Sequence, residues 1–318
     1  ATADAFLDLG CSPRSLALGQ AIVALDGHPA GIFINPAAAG FSRGRTLNFM
    51  GVEAFGMADY FTLGGSVQTA SALRWTVQSA VLSVTGIPRH PDLRAISGLE
   101  ARRDSIRRWV QQGFSTFGDR ESALIVNGSA STTPTIDLGW QMAPFEIKIP
   151  FGMNIRVLNK RLGSLQGTGI GVDLGAMIML PLSNVFLWEK LGRLTLGASW
   201  NNLLGTRLYW NTRKVDFIPT RFVRGLVYEQ NLWSSGMVAR ILVQSSSQFA
   251  GRYQWGAEAE IARRLFLRIG RNQDDLQGGV GFACPFRGHL LNINYSFSAH
   301  ALGPVHRLGI TFRFNDQE

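Results

Sequence analysis

The five histidines, His28, His90, His289, His300 and His306, are the side chains best suited to acid–base or metal chemistry near neutral pH. None stands at metal-ligand spacing from another His, Cys, Asp or Glu, and none lies beside a nucleophile motif. His300 and His306 flank the last expected hairpin and are read as turn packing. The acids are more informative. Glu258 and Glu260 are two residues apart, so in a strand they share one face, and Arg268 on the next strand is expected to meet them. Asp173 is assigned to the same inward-facing polar network. Carboxylates facing an arginine read as a matched charge network rather than an acid/base pair, because a buried charge is tolerated only when paired. Gly169-Ile170-Gly171 and Gly279-Val280-Gly281 fall within strand-like stretches, so they are not phosphate loops; they are expected to admit a close inward neighbour. Cys11 and Cys284 could pair only if the N-terminus folds back onto the last strands; otherwise they are two free thiols. No catalytic residue, metal or cofactor is expected, and the chain is read as non-enzymatic.

The elements that would position these residues follow from periodicity. From Arg45 onward apolar residues alternate with small or polar ones. In His306 to Phe314, Leu308, Ile310, Phe312 and Phe314 share one face, with Arg307, Gly309, Thr311 and Arg313 on the other. In Ile147 to Val157, Phe151, Met153, Ile155 and Val157 oppose Gly152, Asn154 and Arg156. Strand centres fall near residues 49, 64, 77, 126, 152, 173, 197, 224, 240, 258, 268, 281, 294 and 310, fourteen in all. Short turns such as Phe286-Arg287-Gly288-His289 make the neighbours antiparallel. The spacing predicts a longer connection at every second hairpin. Residues 1–43 break the alternation; they are compact and turn-rich, ending in Asn35-Pro36-Ala37. Leu93 to Phe117 breaks it again. Ile96, Leu99, Ile106, Trp109, Val110 and Phe114 recur at helical spacing, with Arg102, Arg103, Arg107 and Arg108 between them.

Composition sorts the remaining possibilities. Of 318 residues, 46% are hydrophobic and only 17% charged, with 36 glycines. No stretch approaches the ~18 consecutive apolar residues of a membrane helix. An apolar face and a polar face, alternating strand after strand, instead fit a transmembrane barrel with lipid outside and a polar interior. The fold class expected is all-β: an antiparallel transmembrane barrel of about fourteen strands over residues 44–318, with residues 1–43 as an N-terminal hatch and a helical extracellular insertion at about 93–117. The net charge is +9, carried almost wholly by arginine, since only Lys148, Lys160, Lys190 and Lys214 are lysines. The bases are scattered along strands without a recognition motif, so nucleic acid is excluded as a partner. Lipid or lipopolysaccharide phosphates are the better match. The start at Ala1 is read as following removal of a signal peptide, with export to a bacterial outer membrane.

The runs Phe6-Leu7-Asp8-Leu9-Gly10, Ser12-Pro13-Arg14-Ser15-Leu16-Ala17-Leu18-Gly19-Gln20-Ala21 and Asn35-Pro36-Ala37 resemble the mature N-terminus of the PorV/PorQ family, which is similar to FadL-type barrels. Asp173-Leu174-Gly175-Ala176, Asn201-Asn202, Ile218-Pro219, Leu267-Arg268-Ile269-Gly270, Asn294-Tyr295-Ser296 and His306-Arg307-Leu308-Gly309 follow in the family's order. The resemblance implies a fourteen-stranded barrel with a hatch. It also implies a part in type IX secretion or surface attachment, with other envelope or secreted proteins as partners. Arg102, Arg103, Arg107, Arg108 and Trp109, with Tyr209 and Trp210 in an expected loop at 205–216, are then the partner-binding residues. The FadL similarity implies an alternative, passage of hydrophobic small molecules past the hatch through an apolar pocket lined by residues such as Phe33 and Leu82. A third reading is a structural anchor for a larger envelope assembly.

Overall fold

The computed structural model describes residues 4–40, 44–69, 73–89, 92–137, 139, 144–232, 236–249, 251–273, 275–300 and 303–314. In chain order the strands are β1 (Arg45–Ala54), β2 (Ala58–Gln68), β3 (Arg74–Pro88), β4 (Thr116–Thr132), β5 (Thr135–Ile136), β6 (Phe145–Glu146), β7 (Ile149–Leu162), β8 (Leu165–Pro181), β9 (Arg193–Asn201), β10 (Thr206–Trp210), β11 (Val215–Ile218), β12 (Arg221–Leu232), β13 (Met237–Ser246), β14 (Tyr253–Ile261), β15 (Leu265–Asn272), β16 (Asp275–Phe286), β17 (His289–His300) and β18 (Gly303–Phe314). The helices are α1 (Pro13–Ala17), α2 (Leu99–Gln112) and α3 (Leu182–Phe186).

Sixteen strands form one sheet. Two of them, β10 and β11, make a side hairpin; the other fourteen close into a ring through the β1–β18 and β8–β9 pairings. Every pairing is antiparallel, so the protein is an all-β closed barrel. Closure leaves no edge in the wall, the condition for placing strands in lipid. The two faces divide as the alternation requires. Leu47, Phe49, Leu267, Ile269, Val280, Phe282, Leu308 and Ile310 are exposed on the outside, while Asn48, Asn154, Arg156, Asp173, Glu258, Arg268, Ser296 and Arg307 are buried on the inside.

Three expectations about the connections are corrected. The stretch 205–216 is not a simple loop. At Asn202, which has φ +55°, the β9 ladder breaks. The chain then resumes as β10 against the same β8, with Leu174 opposite Trp200 below the break and Gly169 opposite Leu208 above it. The long connections do not alternate. The end opposite β1's start carries α2 and the β10–β11 hairpin, but the end where β1 starts and β18 finishes carries 133–148 and 182–192, because β5–β6 and α3 fill those connections. The helical insertion is also shorter than 93–117: Thr116 and Phe117 already belong to β4, opposite Pro88 and Ile87.

The outward face carries a direct test. Ile310 lies near the middle of β18 and is 41% exposed. Replacing it by Arg is expected to cost ~2–4 kcal/mol in denaturant titrations of the barrel in lipid vesicles. A change near zero would place that face away from hydrocarbon.

Candidate functional site

Residues 4–40 pack along the inward side of the wall and form most of the buried core together with it. Their conformation is set locally first. Ser12 caps α1: its Oγ accepts from the Ser15 amide at 3.1 Å, Ser15 Oγ accepts from the Ser12 amide at 3.3 Å, and Pro13 opens the helix. Asn35 is fully buried ahead of a 3-10 turn over Pro36–Ala39. Its Oδ1 accepts from Ala37 N at 3.0 Å, and its Nδ2 donates to the Val23 carbonyl at 2.6 Å. Pro36 lies in the first turn, where its missing N–H costs nothing.

The wall then holds the segment by donating to its carbonyls. Asn127 donates to Pro36 O at 3.0 Å, Asn154 to Ile32 O at 2.8 Å and Ser199 to Ile34 O at 2.8 Å. Tyr60 donates to Gly10 O at 2.9 Å. Strand glycines make room. A Cβ on Gly256 would sit 2.6 Å from Leu18 O, one on Gly279 2.6 Å from Ala17 Cβ, and one on Gly309 2.7 Å from Pro13 Cδ. Gly169 and Gly171 do not serve this purpose, because their neighbours are Leu208 and Thr206 of β10.

Glu258 ties segment to wall. Its side chain is 0% exposed and receives two bonds from Arg14, Nε at 2.9 Å and Nη2 at 2.7 Å. Arg240 Nη1 reaches it at 2.8 Å and Arg268 Nε at 2.6 Å. Arg240 also pairs with Glu260 at 2.8 Å and Glu229 at 2.6 Å, and Arg193 joins Glu229 at 3.1 Å to Asp26 at 3.3 Å. Asp173 is not part of this network. It lies in a second cluster, paired with Arg156, accepting from Asn154 Nδ2 at 3.1 Å and from Asn202 N at 2.8 Å. No hydrogen bond or ion pair links the two clusters among the described residues. Sequence reasoning missed Arg14, Arg156, Arg193, Glu229 and Arg240; for Arg156 the signal was available, since it lies two residues from Asn154 on one strand face.

Below the segment, at the end where β1 starts, a cavity of about 440 Å³ is bounded by Arg14, His28, Arg240, Arg268, Asn292 and Arg313 among others. His28 Nε2 lies 2.8 Å from Ser12 Oγ. Burial, then the charges of Arg14 and Arg268, push His28 down to about 3, so the ring is neutral. Ser12 Oγ is already engaged as the α1 cap, and no carboxylate bonds the other ring nitrogen, so the pair has the arrangement of a structural bond rather than a nucleophile and its base. Cys11 and Cys284 are both free thiols, and burial pushes Cys11 up to about 11, so it is an inert one.

Above the segment the interior is mixed: an apolar cluster stands among buried polar side chains such as Glu121, Gln244, Gln254, Gln277 and Arg307. Phe6, Phe33, Tyr60, Leu158, Leu208, Val223 and Val305 belong to one buried cluster, with Leu82 packed against it. Phe33 is 6% exposed, and the small pocket that borders it is lined by Asp8, Arg221 and Gln244 rather than by Leu82. On the surface, Tyr209 is 57% exposed, but Trp210 turns inward against the cluster and donates to Asp216 Oδ2 at 2.8 Å. The shift at Asn202 decides this, since it sets which face of β10 points in. Helix α2 has no buried residue. Arg103 and Arg107 bond Glu100 and Asp104 one turn back, Arg102 and Arg108 bond backbone carbonyls, and Trp109 stacks on Phe114 at 4.9 Å. The last strands place His306 against the Tyr295 hydroxyl at 2.6 Å and His289 among Phe312 and Phe314. His90 lies outside the described residues.

Glu258 generates the first prediction here: Glu258→Gln leaves three guanidiniums facing a neutral amide and is expected to cost ~3–5 kcal/mol of stability. His28 generates the second. It titrates near 6.5 when unfolded and near 3 when folded, so the unfolded chain takes up the proton first. The stability it confers is complete above pH 6.5 and drains away as pH falls toward 3. The denaturation midpoint of the native chain should therefore fall more steeply than that of His28→Gln on acidification from pH ~7 to ~4.5. Parallel slopes would remove the assignment.

No protein-family model and no curated sequence matches the chain. Solved structures do. CymD, a monoaromatic hydrocarbon channel, aligns over 98% of this chain and 99% of its own at 11% identity, with a TM-score of 0.51. A FadL homologue from Pseudomonas aeruginosa aligns over 95% and 96% at 9% identity, with a TM-score of 0.44. TodX, another monoaromatic hydrocarbon channel in a mutant form, aligns over 96% and 99% at 11% identity, with a TM-score of 0.41. The sequence resemblance to PorV/PorQ in particular gains no support from these comparisons. What this chain shares with CymD is the fold, a closed antiparallel β-barrel.

Proposed function

We propose that the protein is an outer-membrane channel for small apolar molecules, with residues 1–43 as a plug that closes it. The observation that carries this reading is the division of the interior. A water-filled pore is polar throughout its lumen, whereas here the half remote from β1's start holds the apolar Phe6, Phe33, Tyr60, Leu158 and Val223 cluster beside its polar side chains. With the segment displaced, that cluster would offer an apolar solute aliphatic and aromatic surface. The kinship of fold with CymD favours the same reading. Within the segment, residues 4–11 are held by the Tyr60 and Thr62 hydroxyls, by Asp8 on Arg221 at 2.9 Å and by Asp4 on Asn202 at 3.2 Å, whereas 32–37 are pinned by several buried amides. Opening would begin at the first part. No catalytic step is assigned to any residue.

The test is uptake of a radiolabelled monoaromatic hydrocarbon by cells producing the protein in an otherwise channel-deficient outer membrane. Uptake should rise over empty-vector cells, and Tyr60→Phe, which frees the Gly10 carbonyl, should raise it further. Uptake equal to that of the vector control would end the proposal.

A second reading rests on α2, which joins exposed Leu99, Ile106 and Val110 to four arginines. It would lie on lipopolysaccharide phosphates or meet another envelope protein, as a secretion or anchoring component would. Co-purification at fixed stoichiometry from native membranes, lost when Arg102 and Arg108 are replaced by Gln, would favour it.

A further inference from the structure

We propose that the cavity beneath the N-terminal segment binds a small soluble oxyanion, a carboxylate or a phosphate monoester, with Arg313 and Arg263 as its charged contacts.

Charge balance leads to this site. Arg14, Arg193, Arg240 and Arg268 border the cavity and are matched by Asp26, Glu229, Glu258 and Glu260, each of which is in an ion pair with at least one of them. His28 is neutral and adds nothing. Arg263 and Arg313 also border the cavity, and among the described residues neither has an ion pair or hydrogen bond. The Arg313 Nε is buried without a partner. The partly buried Arg313 guanidinium beside an already arginine-rich network carries an electrostatic cost, which a bound anion would offset, with Arg263 adding a second positive charge from the exposed rim.

Neutral donors converge on the same place. Asn292 and Thr311 are directly opposed across β17 and β18, and Thr311 and Arg313 alternate onto the same face of β18. All three border the cavity. Asn292 and Thr311 have no bonded partner among the described residues, and Asn294 uses only its Oδ1, accepting from Arg268 at 2.8 Å. Amide N–H, hydroxyl and guanidinium donors facing one space are the chemistry that recognises a planar or tetrahedral oxyanion. A volume of about 440 Å³ leaves room for an organic remainder beyond the anionic group. The site stands apart from the channel reading, because binding can be measured whether or not the barrel conducts.

Isothermal titration calorimetry on the full chain, folded in a zwitterionic detergent and free of phosphate, tests it. The probes are inorganic phosphate, acetate and glycerol 3-phosphate, with glycerol as the uncharged control. Saturable binding of at least one anion is expected, and none of glycerol. Arg313→Gln should weaken it about tenfold, the loss of one charge-assisted contact. Arg313→Lys, which keeps charge but not the fork, should fall between. Retained fast migration in unheated SDS gels reports an intact barrel. If Arg313→Gln fails to fold, Arg263→Gln in its exposed turn and Thr311→Val supply the same reading, each with weaker binding expected. The proposal is overturned if no anion binds saturably, if glycerol binds as well as glycerol 3-phosphate, or if binding is unchanged in the folded Arg and Thr variants.

Discussion

A ring of fourteen strands encloses more space than its inward side chains can fill, yet less than an open porin of ~16–18 strands. That mismatch governs the interior. Packing residues 4–40 against the wall removes it, but only if wall and segment fit. Buried glycines bring strand backbone against the segment, as at Gly256, Gly279 and Gly309. Inward amides and hydroxyls then satisfy carbonyls that the segment, being mostly turns, cannot satisfy by itself. The abundance of glycine and the runs of Asn, Ser and Gln on strand faces are thus two parts of one solution.

The interior is also divided along its length. Toward the α2 end the wall contributes Tyr60, Leu158, Leu208 and Val223, and the segment meets it with Phe6 and Phe33. Toward β1's start it contributes arginines and glutamates. Glu258 stands at the junction, where three guanidiniums converge on one buried carboxylate. A single bare charge there would be costly, and the matched set is tolerable only because each member is bonded. Arg14 comes from the segment and the others from strands. The network therefore fixes how deep the segment sits as well as neutralising the wall.

How much of this could be read from the sequence depended on range. Strand positions were legible because lipid demands an apolar residue at alternate positions, and all fourteen expected centres fall within strands. Register was legible across tight turns. The Gly163-Ser164 connection sets Leu162 against Leu165, which forces Asn154 opposite Asp173, and the turn after Ile261 likewise sets Glu258 against Arg268. Beyond neighbouring strands the sequence is silent. Nothing local says that Arg14 meets Glu258, and Asp173 was grouped with Glu258 only because both face inward. Trp210 was misplaced for a different reason: 205–216 was read as a loop with both aromatics exposed, whereas the chain re-pairs with β8 as β10 and alternation there turns Trp210 inward.

The break at Asn202 is itself held by the second cluster. Asp173 Oδ1 accepts the Asn202 amide, Arg156 pairs with Asp173, and Thr206 Oγ1 donates to Asn202 Oδ1 at 2.8 Å, so the irregular backbone is bonded on both sides. The Asn202 Nδ2 then reaches Asp4 at 3.2 Å, at the start of the described segment. Two different charged clusters thus grip the two regions of the segment: Glu258 grips α1, and Asp173 with Asn202 grips the residues before it. The grips are unequal. Asp8 meets Arg221 through partly exposed side chains, which water can compete for, whereas Arg14 and Asp4 each meet a wall residue nearly sealed from solvent. The exposed link at Asp8 therefore lies between two buried ones, so the segment is fastened to the wall on both sides of its weakest charge pair.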